Sequence, residues 1–344
     1  MALVLAAVSR FFKDLEPLGK LLGPVWRRRI AARRERELPE RSLAFVGRVR
    51  RRIELVNIDE DWQDEYFAEL ETWVELRHTY RRRRLVAFFG RRGDAQLRRM
   101  PLSKALGTIL EPTGAQALVL LEGDPGSGKS VALRHLALEL CRKLESSLRR
   151  GLIPVYVNLR RLDIEGRSVN ADTIQELVLR TLGHEDDAEA RKFLDDEFDA
   201  IARRGEWLFL FDSFDEIPEL LSATEADAAV RHYEDALSEF LVRMSRCGGI
   251  VASRHYRGPR RQHWPSLRIL GLTEERKHEL ARARMSPDDF KLLFGSLPRA
   301  DAGLQLLSAN PLFLGLLCQY VQQRHEFPGN CHRVFEAYYT PRVS

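Results

Sequence analysis

Hydrophobic residues along the middle of the chain follow two alternating patterns. Five short runs carry almost no charge, at Ala117–Leu121, Ile153–Val157, Trp207–Phe211, Gly249–Ser253 and Leu267–Leu272. Segments with helical patterns lie between them, at Lys129–Lys143, Asp172–Leu182, Ala188–Arg203 and Ala226–Met244. Uncharged runs are typical of strands covered on both faces, and their alternation with helices is typical of parallel sheets. The pattern therefore predicts an α/β fold with a parallel five-stranded sheet covered by helices.

The flanking segments show helical patterns only. Before the α/β region, residues 1–37 predict a helix ending in an Arg-rich segment, and residues 60–85 carry apolar residues at helical spacing. After residue 273 no strand pattern returns, and helices are expected to open at Ser286-Pro287 and Asn310-Pro311 because a capping residue followed by Pro favours a helix start. The predicted parts are an N-terminal helix with its Arg-rich segment (1–40), a mostly helical accessory region (41–114), the α/β core (115–272) and a small all-helical domain (273–344).

Composition places the chain among soluble globular proteins, with 44% hydrophobic and 31% charged residues. No run approaches the roughly 18 apolar residues that span a bilayer. The apolar start, Met1–Val8, lacks the basic region of a signal peptide. We interpret it as a helix packed on the protein, the alternative being a membrane or partner anchor backed by Arg27–Arg29. The four cysteines lack zinc-ligand spacing, so Cys141 and Cys318 are expected to be buried thiols in a reducing cytoplasm.

The basic charge is concentrated at the start of the chain. The net charge is +5, and the first 100 residues hold 23 Lys and Arg against 15 Asp and Glu. The run Arg81–Arg84 could contact nucleic acid or acidic lipid. An acidic stretch at residues 54–75 lies between the basic clusters, which favours a solvated helical face instead.

The loop after the first predicted strand fits the pattern G-x-x-x-x-G-K-[S/T], and a predicted helix follows it. Backbone N–H groups there would surround phosphates, with the helix N-terminus aimed at the same anion. Lys129 would reach the β- and γ-phosphates, and Ser130 would give a hydroxyl to Mg²⁺. ATP is the predicted ligand. The residues of this predicted phosphate site are Gly123, Asp124, Pro125, Gly126, Ser127, Gly128, Lys129, Ser130 and Val131.

Acidic residues follow the third predicted strand directly. Asp212 is expected to hold Mg²⁺ together with Ser130, while Asp215 or Glu216 orients or activates the attacking water, a choice the residues leave open. Burying these acids without a cation would be costly, so the cluster predicts a bound metal. Arg254 ends the fourth strand at the ligand-binding edge of the sheet, where it senses the γ-phosphate or pairs with a surface acid.

These residues together resemble the NACHT family of STAND-type P-loop NTPases. The resemblance rests on the block Leu208–Glu216, with a small residue after the first Asp, and on Leu152–Arg160, Ile250–Arg254 and Asn310–Cys318. It implies a switch that rests with ADP, exchanges it for ATP on a trigger and then forms homo-oligomers, serving immunity, cell death or phage defence. It also implies that Pro311 lies near the nucleotide base.

The resemblance covers roughly residues 115–340. The chain stops at Ser344, where a winged-helix domain would be starting, and no repeat sensor follows. We expect either a truncated product or separately encoded sensor and effector partners.

Three other functions were weighed against a slow, Mg²⁺-dependent ATPase switch. An ATP-dependent nucleic-acid motor or clamp lacks a helicase motif, and a GTP-using switch lacks an N-K-x-D stretch. A hydrolytically inactive scaffold is disfavoured because Lys129, Ser130, Asp212, Asp215 and Glu216 are all present. Nucleic acid is therefore not expected as a partner, and membrane contact is left open only through the N-terminal helix.

Overall fold

The structure, a computed structural model, describes residues 38–60, 70–75, 98–109, 118–162, 168–223, 226–244, 246–255, 258–259 and 264–339. The strands of these residues are β1 (Glu71–Glu75), β2 (Arg98–Pro101), β3 (Leu118–Glu122), β4 (Ile153–Asn158), β5 (Trp207–Asp212), β6 (Gly248–Ser253) and β7 (Ser266–Ile269). The α-helices are α1 (Glu40–Asp59), α2 (Leu102–Ile109), α3 (Lys129–Ser147), α4 (Ala171–Thr181), α5 (Ala188–Arg204), α6 (Pro218–Ser222), α7 (Ala226–Arg243), α8 (Glu274–Arg284), α9 (Pro287–Ser296), α10 (Ala302–Leu307), α11 (Pro311–Arg324) and α12 (Cys331–Tyr339).

The strands form one sheet in the order β2-β1-β7-β3-β6-β5-β4. The five strands predicted from the uncharged runs are its parallel part, and all residues of β3 and β5 are buried, as expected for strands covered on both faces. The strand β6 lies between β3 and β5. The carboxyl ends of these three neighbours therefore meet at one edge, which carries the loop after β3, Asp212 and Arg254.

Within the residues that the structure describes, the sheet has seven strands rather than five, because β1 and β2 join it in antiparallel fashion beside β7. The prediction of a helix over residues 60–85 is wrong at residues 71–75, which form β1. Burial there alternates, with Thr72 buried and Trp73 exposed, and Thr72 Oγ1 donates to Met100 O at 3.2 Å. The apolar spacing also fits a helix, and pairing with the edge of a distant strand decides the outcome.

The helix α1 is docked on the α/β core. Its Phe45 ring stacks on Phe193 of α5 with centroids 4.3 Å apart, and it meets Trp207 of β5 edge-on. Its Arg48 pairs with Asp187, the residue that caps α5, at 2.6 Å. The region that precedes the parallel sheet therefore shares the hydrophobic core of that sheet.

The last part of the described chain is helical, as predicted. The helix α9 begins after Ser286, whose side chain accepts from Asp289 N, and α11 begins after Asn310 with Pro311 in its first turn. Cys141 and Cys318 are buried free thiols, which confirms that prediction, and burial raises the pKa of each to about 12.

Some predictions fall on residues that the structure does not describe. The N-terminal helix of residues 1–37, with Arg27–Arg29, and the basic run Arg81–Arg84 lie outside the described residues. Within the described part of the chain, no helix is both long enough and apolar enough to cross a bilayer.

Candidate nucleotide-binding site

The loop between β3 and α3 curls into a tight cradle. Gly126 and Gly128 have φ of 72° and 91°, a left-handed conformation that glycine adopts without steric cost. A Cβ on Gly123 would lie 2.5 Å from Ser127 Oγ, so a larger residue there would force the Ser127 side chain to move. The loop closes on itself through Ser127 N, which donates to Asp124 O at 3.1 Å. The sequence pattern thus has the backbone shape that surrounds a phosphate.

The residues of this cradle fit a nucleotide phosphate. Ser127 Oγ is buried and has no hydrogen-bond partner, which is costly unless a ligand supplies one. Lys129 Nζ donates to the loop's own carbonyls, Gly123 O at 2.7 Å and Asp124 O at 3.0 Å, and lies over the cradle. Ser130 and Val131 follow in the first turn of α3, half-buried, at the end of the helix that favours an anion.

Lys129 lies in an environment that opposes its charge. Burial lowers the pKa of Lys129, and the nearby carboxylates of Asp215 and Asp212 raise it only in part. A bound phosphate would add the negative charge that stabilises the ammonium group. The electrostatics of the loop therefore favour an anionic ligand.

Asp212 ends β5 and is 2% exposed. Its Oδ2 accepts a hydrogen bond from the Tyr156 hydroxyl of the neighbouring strand β4 at 2.6 Å. Burial and the Asp212 charge raise the pKa of Tyr156 well above its ordinary value, so the hydroxyl remains a donor. Asp212 is thus a buried carboxylate at the strand end where a Mg²⁺ ligand was predicted.

Asp215 and Glu216 lie in a short 3₁₀ turn after β5, which starts at Ser213 with a left-handed φ of 59°. This turn brings Asp215 to the end of β6, where its Oδ1 accepts from Arg254 N at 2.9 Å and from Ser253 Oγ at 3.3 Å. A non-glycine residue in this conformation costs free energy, and such residues cluster at functional sites.

Arg254 pairs with both acids. Its Nε lies 3.3 Å from Asp215 Oδ2, and its Nη2 lies 2.6 Å from Glu216 Oε1. Glu216 has a second basic partner, Arg160, at 3.1 Å. Of the two roles predicted for Arg254, this arrangement matches pairing with acids, although the acids belong to the site and not to the surface.

The expectation of a bound metal at the acidic cluster stays a prediction, and part of the charge of this cluster is balanced within the protein. Arginine side chains pair with Asp215 and Glu216, and one oxygen of Asp212 accepts a hydrogen bond from a tyrosine hydroxyl. Among the described residues no group of three or more His, Cys, Asp or Glu side chains could hold a metal by itself. A Mg²⁺ at this site would be held by Ser130, Asp212 and the phosphates of the nucleotide, which is how Mg²⁺ is commonly bound in proteins.

The helical region touches the phosphate loop directly. Asn310 Nδ2 donates to Pro125 O at 2.8 Å, and Leu312 N lies 3.3 Å from Gly126 O. Pro311 lies between them, and its Cγ is 4.0 Å from the position that a Cβ on Gly128 would take. The residue predicted to flank the base therefore lies beside the loop.

Several residues of this site were not assigned from sequence. Tyr156, Arg160 and the side chain of Asn310 make the contacts described above, and His255 Nδ1 lies 3.0 Å from Glu122 Oε1. Tyr156 carried one signal, a hydroxyl inside an otherwise apolar strand. The partners of the others are far away in the sequence, so no local pattern marks them.

Comparison with protein families agrees with this geometry. The family model described as NACHT domain matches residues 117–288, which is half of the chain. The chain belongs to the NACHT family. This assigns it to the STAND-type P-loop NTPases, confirms the resemblance seen in the sequence, and accords with an α/β sheet followed by helices. A comparison with curated protein sequences gave no match.

Solved structures include chains with distant similarity to this one. Drosophila ORC bound to DNA is 14% identical with a TM-score of 0.41, covering 70% of this chain and 58% of that chain. The Aeropyrum pernix ORC2 protein is 15% identical with a TM-score of 0.37, covering 67% and 63%.

A STAND protein with a tetratricopeptide repeat sensor from Pyrococcus horikoshii is 18% identical with a TM-score of 0.34, covering 66% of this NACHT chain and 30% of that one. The chain thus spans less than two thirds of each of these three structures. Similarity at this level supports no inference about activity or partners.

Proposed function

We propose that this NACHT chain is an ATP-binding, slowly hydrolysing, Mg²⁺-dependent switch in signal transduction. The observation that carries the proposal is the contact of the helical region with the phosphate loop, made by Asn310 and Leu312. A ligand that reshapes the loop changes this contact, so nucleotide state and the position of the helical region are coupled. Coupling of this kind is what a switch requires.

The contact is directional and local. Asn310 Oδ1 accepts from Leu312 N and Phe313 N, so one side chain both caps α11 and, through Nδ2, bonds to Pro125 O. A movement of Pro125 or Gly126 therefore acts on the first turn of α11. Leu312 is 59% exposed, and its Cβ lies 2.9 Å from the position that a Cβ on Gly126 would take, so its side chain adjoins the loop.

Slow hydrolysis follows from the ion pairs of the site. A base or water-orienting carboxylate has to face the γ-phosphate, whereas Asp215 and Glu216 both face Arg254. A γ-phosphate would compete with these acids for the same guanidinium group. Arg254 would then report ATP by leaving the acids, which couples nucleotide sensing to the release of a carboxylate for catalysis.

The roles of the residues follow from their positions. Backbone N–H groups of residues 123–131 and Lys129 bind phosphates, Ser130 and Asp212 hold Mg²⁺, and Pro311 flanks the base. Mg²⁺, when bound, would neutralise charge on the β- and γ-phosphates. Sensor or effector proteins would then contact a homo-oligomer that forms with ATP.

The proposed switch is tested by measuring the molecular mass of the protein in solution with ADP, with a non-hydrolysable ATP analogue and with the corresponding GTP analogue. Each measurement is made with Mg²⁺. We expect a larger assembly with the ATP analogue than with ADP, and no assembly for the Lys129→Ala variant. A monomer in every state, from a chain that binds ATP, would contradict the switch while leaving nucleotide binding intact. A response to the GTP analogue alone would contradict the choice of ATP.

A further inference from the structure

Arg134 is a basic side chain in the interior of the molecule. It lies on α3 one helical turn after Ser130 and is 1% exposed. A buried guanidinium group is destabilising unless its donors are paired with acceptors. The groups that pair with Arg134 therefore indicate which parts of the structure it connects.

The guanidinium group joins the end of α1 to strand β4. Its Nε donates to Asn57 Oδ1 at 2.7 Å, and its Nη2 lies 2.6 Å from Glu60 Oε2, just past the end of α1. Its Nη1 donates to the Tyr156 hydroxyl at 3.3 Å. All the described contacts of Arg134 thus lead either to α1 or to Tyr156.

Tyr156 carries the chain of contacts to the metal site. Its hydroxyl accepts from Arg134 and donates to Asp212 Oδ2 at 2.6 Å, so the direction of the Tyr156 proton is fixed. Tyr156 is itself buried, and the strand that bears it pairs in register with β5. One oxygen of Asp212, Oδ2, is thereby held by a hydrogen bond.

We propose that Tyr156 and Arg134 are positioning residues that orient Asp212 toward Mg²⁺, and that through them the end of α1 acts on the nucleotide site. The inference rests on the proposed role of Asp212 as a Mg²⁺ ligand. Partners that orient a metal-binding carboxylate commonly change metal affinity or activity by about 10- to 100-fold when removed. The helix α1, which precedes the P-loop domain, thus influences Mg²⁺ binding through Arg134 and Tyr156.

The experiment measures the affinity of a fluorescent ATP analogue at equilibrium, with Mg²⁺ and with EDTA. Tyr156→Phe keeps the ring and removes only the hydroxyl. We expect it to weaken the Mg²⁺-dependent gain in affinity by about tenfold or more, and to leave the affinity in EDTA within about twofold of the wild type. A general folding defect would instead lower both affinities.

Tyr233→Phe is the matched control. Tyr233 is also buried, and its hydroxyl also donates to a carboxylate, Glu219 Oε2 at 3.1 Å, but on α6 rather than in the site. This control should keep the full Mg²⁺ effect. Equal losses in Tyr156→Phe and Tyr233→Phe would overturn the proposal, as would a Tyr156→Phe variant that behaves like the wild type.

Asp212→Asn separates this inference from the proposed function. If Tyr156 acts through Asp212, the double variant with Tyr156→Phe loses no more Mg²⁺ effect than Asp212→Asn alone. If wild type and Asp212→Asn respond equally to Mg²⁺, the proposed role of Asp212 itself is wrong. If only Asp212→Asn loses the response, Asp212 is a ligand and the positioning role of Tyr156 is overturned.

A separate variant tests the connection between α1 and the nucleotide site. Asn57→Ala removes one acceptor of Arg134 and touches neither Tyr156 nor Asp212. We expect a smaller loss of the Mg²⁺ effect than in Tyr156→Phe, about two- to fivefold, with the EDTA affinity unchanged. A loss of stability with a full Mg²⁺ effect would restrict the relay to Arg134, Tyr156 and Asp212 and overturn the part of the proposal that concerns α1.

Discussion

The candidate site has two sides that are built differently. The phosphate side is one continuous segment, residues 123–131, in which backbone geometry forms the cradle. The carboxylate side consists of Asp212, Asp215, Glu216 and Arg254, which come from the ends of two strands and the 3₁₀ turn after one of them. Backbone shape holds the first side, whereas ion pairs and hydrogen bonds between side chains hold the second.

This difference separates binding from response. A cradle of backbone N–H groups binds through its backbone geometry, and its selectivity is for phosphate in general. Paired side chains can exchange partners when a new charge arrives, because an added phosphate competes for the same arginine. We therefore expect substitutions on the phosphate side to abolish binding, and those on the carboxylate side to alter stability and the response to nucleotide.

The largest effect is expected for Lys129→Met. The substitution removes the charge that meets the phosphates and keeps most of the aliphatic side chain. ATP affinity should fall by about 100-fold, since a charge-assisted contact to phosphate contributes about 3 kcal/mol. Titration calorimetry measures the change, and unaltered ATP binding would contradict the assignment of the phosphate side.

The second largest effect is expected for Arg254→Ala. This variant leaves Asp215, which is 3% exposed, without its basic partner. The unfolding free energy should therefore fall by about 2 kcal/mol. The loss is smaller than for an ion pair with both partners buried, because Arg254 itself is partly exposed. Urea unfolding measures the change. Arg243→Ala is the control, because Arg243 also bridges two carboxylates, Asp172 and Glu239, but on the surface. Its effect should lie within experimental error.

The same contrast explains what the sequence could predict. The phosphate side was predicted residue by residue, because a strand, glycines at fixed spacing and a helix are all local features. The positions of Asp212, Asp215, Glu216 and Arg254 at one edge also followed, because parallel strands end together. Their ion pairs did not follow, since they depend on side-chain directions across the sheet. Tyr156 and Arg134 stayed unassigned for the same reason, because their partners are 56 and 77 residues away.

In the accessory region, the sequence pattern does not determine the secondary structure. The spacing of Leu70, Trp73 and Val74 fits a helix as well as a strand, and pairing of β1 with β7 decides between them. No local pattern shows which strand edge is open. Leu70 nevertheless reaches the phosphate side, with Cδ1 3.3 Å from the position of a Cβ on Gly128.

A smaller effect is expected for Asn310→Ala, at the contact between the phosphate side and α11. Losing the cap should lower the unfolding free energy by about 1 kcal/mol. Ser286→Ala, which removes the cap of α9, should cost about the same amount without touching the loop. The two variants should differ in thermal shift, because only Asn310→Ala should alter the gain in melting temperature on adding ATP. Equal gains would argue against coupling through Asn310.

The smallest expected effect is on the pH dependence of stability that Lys129 causes in the absence of nucleotide. Burial lowers its pKa in the folded protein, whereas the unfolded chain keeps the ordinary value of 10.5. Between the lowered pKa and 10.5 the unfolded state binds more protons, so the stability of the wild type rises with pH through this window relative to Lys129→Met. Below the window the charged lysine is disfavoured in the folded state, and Lys129→Met should be the more stable protein.

Unfolding free energies of both proteins, measured from pH 7 to pH 10.5 without nucleotide, give the difference directly. It should favour Lys129→Met at pH 7 and shrink as the pH rises. Saturating ATP should remove this advantage, because bound phosphate stabilises the charged lysine of the wild type and the variant binds ATP poorly. A difference that is constant with pH would mean that the phosphate side does not oppose the charge of Lys129 before the nucleotide binds.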